Sequence, residues 1–439
     1  MKMTREERNW VLYDVGNSAF VLLVSTIMPL YFNYLAGSAG LSDSDYLAYW
    51  GYAASIATII VAVMGPVIGT MADMKGVKKI LFTVSMLVGA VGCISLGFAK
   101  QWIVFLGIFI IAKSGFASSL IFYDAMLTDV TDDERMDEVS SQGYAWGYIG
   151  SCMPFVICLV LVLGADKIGI SMESAMALSF AIVAVWWFAM TVPLLRTYKQ
   201  RHYVKREPHA VKNSFARIGR TLANVRKEKK IFLFLIAFFF YIDGVYTIID
   251  MATAYGSALG LDSTGLLLAL LVTQFVAFPS AIIFGRFAKK FKTEKLILVC
   301  ISAYLFIAVF AIFLATQLQF WILAVLVGMF QGGVQALSRS YFAKIIPSEQ
   351  AGEYFGLMDI CGKGAAFLGT TVVGVVTQVT GNMSKGVGVI SVLFVVGIVF
   401  FNMAMRAESA GETKPAQESD GVGADSHVGD NCKYPIDIV

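Results

Sequence analysis

Residues 69–79 read GTMADMKGVKK, and this stretch decides the fold. One long apolar run, Tyr46 to Met71, stops where it begins, and another, Ile80 to Ala99, starts where it ends. Between two runs of that length it is a tight turn joining two membrane helices. Its residue types suit that place. Gly69 and Gly76 permit close helix approach and a positive φ. Asp73 can accept from free N–H groups at a helix start, and Lys75, Lys78 and Lys79 favour an anionic cytoplasmic leaflet. A plain basic turn, with Asp73 capping only the helix that follows, is the simpler reading of the same residues.

Composition agrees with a membrane chain. Of 439 residues, 57% are hydrophobic and only 15% charged, and the mean hydropathy is +0.71, far too apolar for soluble domains. The net charge of +3 implies no nucleic-acid partner, since the basic residues face lipid headgroups. Six scattered cysteines (Cys93, Cys152, Cys158, Cys300, Cys361, Cys432) form no C-x-x-C pair and read as buried free thiols. His202, His209 and His427 all lie in hydrophilic stretches, so neither a metal site nor a histidine proton relay is expected in the membrane. The start, MKMTREERNW, is polar and runs into a helix too long for a cleavable signal. No nucleophile–base pair or phosphate loop stands at useful spacing, which argues against an enzyme, and no cofactor is expected.

Apolar windows of about 20 residues predict an all-α polytopic protein with twelve transmembrane helices, near 11–35, 46–71, 80–99, 102–127, 140–165, 172–195, 231–259, 263–288, 295–315, 319–345, 351–379 and 385–406. Domains follow: a six-helix bundle over 1–195, a basic linker over 196–230, a second six-helix bundle over 231–406, and a disordered tail over 407–439. The linker carries twelve of the 34 Lys and Arg residues. The loops on the other side carry only Lys100, Lys167 and Lys385. By the positive-inside rule both termini are cytoplasmic, in what is expected to be a bacterial inner membrane. FGRFAKKFKTEKLIL, from Phe284, repeats the opening turn faintly, keeping Gly285 and the basic residues but placing Lys289 where Asp73 would be. Such a repeat predicts a two-lobed transporter with its site between the lobes.

The spacing G-x-x-x-D-x-x-G-x-K-K resembles the loop signature of the major facilitator superfamily. Further stretches narrow the likeness: LYDVGNSAF from Leu12, FYDAMLTD from Phe122, VSSQGYAWGYIGS from Val139, YIDGVYTIID from Tyr241, and GGVQALSRSYFAKIIP from Gly332 followed by EYFGLMDICGKGAAFLG. Together they resemble the vacuolar amino-acid effluxer-like (autophagy-related) family of major facilitators, as a bacterial-type member. The resemblance implies secondary transport, with amino-acid efflux the family's best-known activity, and a contact of Asp73 with the start of the eleventh span. The family pattern has polar uncharged residues where this chain has Lys113, Asp250 and Asp359, so its cavity carries extra charge.

Ionisable groups within the hydrocarbon cost about 2.5 kcal/mol or more each and usually face a cavity or a partner. At about 1.5 Å per residue, Asp243, Lys363 and Lys113 lie near the midplane, where transporter sites form. These three are expected to line a central cavity and offer both signs of charge to a zwitterionic or anionic metabolite. Asp250 lies on roughly the face of Asp243, and Asp359 sits one turn from Lys363 as an i,i+4 pair. Internal ion pairs that only fix helix packing are the competing reading. Tyr241, Tyr246, Tyr144 and Trp146, with Gln274, complete the expected pocket. Asp243 leads as a proton-coupling group and Asp359 follows; sodium coupling and plain facilitation stay open. Near the cytoplasmic ends, Asp124 or Asp129 is expected to pair with Arg339, with Asp14 nearby, holding an outward-open state together with the switch residues Gly69, Asp73, Gly76, Lys78 and Lys79. Gly143, Gly147 and Gly150 are assigned to close helix packing. Partners are a small-molecule substrate, the bilayer and a proton or sodium ion, with the protein a monomer. The alternatives are an exporter of lipophilic drugs or lipids, for which a more apolar cavity with a lone acid is expected, and a non-transporting receptor or sensor on the same fold.

Overall fold

A computed structural model describes residues 2–205 and 228–411. Among the described residues, twelve helices long and apolar enough to cross a membrane follow one another: α1 (Arg5–Ser38), α2 (Asp43–Ala72), α3 (Lys78–Leu96), α4 (Trp102–Ala125), α5 (Asp133–Leu163), α6 (Met172–Thr197), α7 (Lys229–Ala258), α8 (Ser263–Phe287), α9 (Thr293–Ile312), α10 (Gln317–Ile345), α11 (Ala351–Thr380) and α12 (Met383–Gly411). The protein is an integral multi-pass membrane protein, because backbone groups in lipid must be satisfied within the segment.

Several helices start or end beyond the apolar windows. A capping box of Thr4 and Glu7 starts α1, and α5 begins at Asp133, ahead of the apolar window expected from residue 140. Helix α12 continues to Gly411, so the first residues expected in a disordered tail are helical. The remainder of that tail, most of the linker, His209, His427 and Cys432 lie outside the described residues.

Helices α1–α6 and α7–α12 form two bundles that meet along α2 with α11, α5 with α8 and α10, and α4 with α11. Glycines set the closest approaches. Gly69 lies so near α11 that an added Cβ would stand 2.3 Å from the Gly352 carbonyl oxygen, and one on Gly356 would stand 3.0 Å from that of Gly65. Gly65-x3-Gly69 and Gly352-x3-Gly356 are therefore facing small-residue motifs across the bundle seam. Within the first bundle, Gly143, Gly147 and Gly150 of α5 face Asp14, Ser18 and Val15 of α1. Gly76 has φ +78°, as the tight turn requires. Cys93, Cys152, Cys158 and Cys300 are buried free thiols.

Candidate functional site

The loop 69–79 grips the opposite bundle. Asp73, fully buried, accepts from the backbone N–H groups of Gly352 at 2.7 Å and Glu353 at 3.0 Å. These are among the donors that a helix start leaves unpaired, and the positive end of the α11 dipole faces the carboxylate. The loop's counterpart between α8 and α9 makes the mirror contact with reversed polarity. A Cβ on Gly285 would press 2.7 Å from the Ser141 side chain, and Lys289 binds Glu138 near the start of α5 at 2.7 Å. Asp137 beside it takes Thr293 at 2.7 Å, Ser340 at 2.6 Å and Lys344 at 2.6 Å. Expected as a weakened copy, the second loop instead places the base on the loop and the acids on the helix.

Lys78, expected at the headgroups, turns inward instead. It is fully buried and pairs with Asp129, also fully buried, at 2.9 Å. Asp129 is thereby removed from any pairing with Arg339. It also anchors the chain that leaves α6: Tyr198 donates at 2.5 Å, and the backbone N–H groups of Arg201 and His202 donate at 2.9 and 2.8 Å. Gln200 accepts from the Gly76 N–H at 2.9 Å, and Val204 N–H donates to the Asp73 carbonyl at 2.9 Å. Residues 198–204 are thus strapped across the 69–79 turn. The His202 ring Nδ1 stands 3.3 Å from Asp129 Oδ1. That carboxylate holds the imidazole above its ordinary value, against the opposing effect of partial burial.

A group whose folded pKa is raised stabilises the fold fully below its unfolded value and loses that contribution as pH rises through the folded value. The strap should therefore loosen as pH rises through and above the ordinary imidazole range. Hydrogen exchange at residues 198–204, corrected for intrinsic rates, should accelerate over that window and lose the extra dependence in His202→Gln. An unchanged profile in that variant would remove His202 from the strap.

Arg339 of α10 reaches into the first bundle. Its guanidinium lies 3.1 Å from Asp124 and 3.3 Å from Asp14, and donates to the Ser140 hydroxyl at 2.9 Å and carbonyl at 3.0 Å. The rings of Tyr144 and Trp10 lie 4.3 and 4.7 Å from it, and that of Tyr123 at 5.4 Å. Planar stacking and a fork of donors on two acids are arginine chemistry that lysine does not reproduce. Tyr123 donates to Asp14 at 2.7 Å, fixing the second acid. A Cβ on Gly143 would stand 2.5 Å from Asp14 and 3.0 Å from Arg339, so the glycine makes room for the guanidinium as well as for helix packing. These contacts seal the bundles together on the face that carries the linker.

Deeper in the seam, Asp359 and Lys363 of α11 pair at 2.6 Å and are both partly exposed. Lys113 of α4 lies within electrostatic range of Asp250 and Lys363, with its ammonium 5.7 Å from the Phe109 ring centroid. Tyr246 lies in range of Asp250, Asp359 and Asp124. Lys113 of α4 in the first bundle thus interacts electrostatically with Asp250 of α7 and Lys363 of α11 in the second. Three residues expected on that wall are elsewhere. Asp243 is fully buried and turned toward Gly369 of α11. Tyr241 is fully buried inside the second bundle, its hydroxyl 2.7 Å from that of Ser338. Trp146 is 43% exposed, bonds to Gln142 on its own helix and packs edge-on against Phe278 of α8. Gln274 lines a small apolar pocket with Ile248, Thr273, Phe320 and Gln331, between α7, α8 and α10. Among the described residues no cluster of His, Cys, Asp and Glu could hold a metal.

Two six-helix bundles that meet across a charged seam define a major facilitator superfamily transporter, and solved structures share the fold. The superfamily transporter FucP in the outward conformation superposes with a TM-score of 0.67 at 14% identity, covering 90% of this chain and 97% of that one. A bacterial homologue of the iron transporter ferroportin in its outward-facing state gives 0.66 at 12% identity, over 92% of this chain and 98% of that one. The vacuole effluxer Atg22-like profile matches residues 3–414, and the chain belongs to that family. The uncharacterized MFS-type transporter YxiO of Bacillus subtilis is 43% identical over 95% of this chain and 99% of its own. Autophagy-related protein 22 of Cryptococcus neoformans is 27% identical over 59% of this chain and 49% of its own length.

Proposed function

We propose that the protein is a secondary transporter that moves a small polar metabolite, an amino acid or a related zwitterion or anion, by alternating access between its two bundles. The linker face is cytoplasmic on this reading, and the state described, sealed there by Arg339 and Asp73, is the outward-open one. The observation that carries the substrate class is the convergence of Lys113, Asp250, Asp359 and Lys363 in the seam. Charges of both signs suit a ligand that brings both signs, whereas a lipophilic cargo offers Lys113 and Asp250 nothing to pair with. The Asp359–Lys363 pair is short and self-satisfied, so a ligand carboxylate must compete for Lys363 or take Lys113, while its ammonium group meets Asp250.

A thermal-stabilisation screen of the purified protein against amino acids, other carboxylates and lipophilic drugs tests this. Amino acids or carboxylates should stabilise the wild type, and Lys363→Gln and Lys113→Gln should each weaken the effect at least about tenfold in ligand concentration, the loss expected for one charge-assisted hydrogen bond. Stabilisation by lipophilic drugs alone, unaffected by either change, would assign the seam to the other class of cargo. Asp73→Ala removes two charge-assisted bonds and should shift the balance toward the linker-face-open state by about 1–3 kcal/mol without altering which ligands stabilise. Spin-label distances between α2 and α11 read the balance; a changed ligand spectrum at an unchanged distance distribution would contradict that role.

A further inference from the structure

Asp243 lies midway along α7, about 21 Å from its start at Lys229, with its side chain fully buried. Oδ1 accepts from the backbone N–H of Gly369 at 3.0 Å and from the Thr247 hydroxyl at 3.3 Å. Oδ2 is buried with no hydrogen-bond partner among the described residues. Gly369 is what lets α11 come this close, since a Cβ there would stand 2.2 Å from the Thr247 hydroxyl and 2.3 Å from Asp243 Oδ1.

Among the described residues no cation pairs with this acid. On α11, Lys363 is committed to Asp359; on α10, Arg339 is committed to Asp14 and Asp124 and Lys344 to Asp137. On α12, the charged residues Lys385, Arg406 and Glu408 stand at the two ends, and the ring nearest Gly244 is Phe394. Helix α8 contributes only Arg286 at its end, and α9 presents Cys300 and Tyr304 besides the charged residues of its first turn. A bare carboxylate in such surroundings would be a desolvated, uncompensated charge, whereas a carboxyl group with its proton on Oδ2 leaves Oδ1 free for the two donors observed.

We propose that Asp243 is the proton-coupling site of the transporter, separate from the charged seam and acting through α11. It binds one proton in the linker-face-closed state and releases it as α11 shifts. Helix α11 is continuous from Ala351 to Thr380; Asp73 of the other bundle holds its first turn and Asp243 holds its middle. A movement that frees its start from Asp73 therefore changes the Gly369 contact, and the charge on Asp243 biases that movement in return. The proposal rests on the alternating-access reading but needs no substrate, so an error in substrate class leaves its test unaffected.

Infrared difference spectra of the purified full-length protein at neutral pH should show a protonated-carboxyl band that disappears in Asp243→Asn. In spin-label measurements between α2 and α11, the ratio of closed to open populations should change by up to about tenfold per pH unit, the limit for one proton. That response should vanish in Asp243→Asn, persist in Asp359→Asn and persist with a moved midpoint in Asp243→Glu. If Asp243→Asn does not fold, the wild-type band and the Asp243→Glu midpoint decide the matter alone. A wild type without the band, an Asp243→Asn protein that keeps the pH response, or a response to sodium in place of choline at fixed pH would each overturn the proposal.

Discussion

Arg339→Ala should open the linker face. In the closed state Arg339 satisfies Asp14 and Asp124 together while stacked among Trp10, Tyr123 and Tyr144. Removing it leaves two acids near one another with little water, since the Asp14 side chain is 9% and that of Asp124 29% exposed. Breaking a buried pair from one side costs about 3–5 kcal/mol. When the bundles part, both acids hydrate, so the penalty falls almost wholly on the closed state. The closed-to-open ratio should drop roughly a hundredfold or more, read as linker-face accessibility of cysteines placed on α5 and α10 in a background without the native thiols. Arg339→Lys should fall between, because it keeps the charge and loses the fork and the stacking. Wild-type accessibility in Arg339→Ala would mean that the Asp73 and Asp137 contacts suffice to close this face.

The second large effect is on the first bundle itself. Lys78 and Asp129 are both fully buried, and Lys78→Ala leaves a carboxylate without its buried cation, again at a cost of about 3–5 kcal/mol. Asp129 retains Tyr198 and two backbone donors, which places the loss near the lower end of that range. The apparent melting temperature should fall by several degrees, whereas Lys79→Ala, at a partly exposed position one residue on, should melt as the wild type does. A Lys78→Met, Asp129→Leu double variant should not recover the loss, because the strap residues would then lack their acceptor. Equal stability of Lys78→Ala and Lys79→Ala would show that the pair contributes nothing to the fold.

Lys78 and Lys79 also show where sequence reading stops. Adjacent lysines at the start of a membrane helix look alike, yet they point about 100° apart around the axis, and only packing selects the one that turns inward. The twelve spans were legible because length and apolarity are properties of single segments. So was the special place of Arg339, a cation set more than a turn inside the end of an apolar helix. That it would take Asp14 as well as Asp124 depends on Gly143 clearing the way, which is a property of three helices at once. Asp243 and Tyr241 were placed on the cavity wall because a polar residue near the midplane usually faces one. Helix α7 defeats that rule: 72% of its most apolar stretch is buried, so polar side chains inside the second bundle and on the seam are equally compatible with its sequence. The reversed polarity of the second loop was visible as Lys289, but its partner Glu138 lies in the other bundle and carries no mark of the pairing. The facing motifs Gly65-x3-Gly69 and Gly352-x3-Gly356 could have been found, since the four-residue spacing of small residues is itself the signal.

The central claim is that the charged seam binds a polar, charged metabolite for transport. Uptake of radiolabelled amino acids and of a lipophilic dye into proteoliposomes, run in parallel for the wild type, Lys363→Gln and Lys113→Gln, tests it most directly. The account predicts saturable amino-acid flux in the wild type that falls at least about tenfold in either variant, for the loss of one charge-assisted contact, with no dye movement. Dye flux that is indifferent to both lysines, with no amino-acid flux in any of the three proteins, would contradict it.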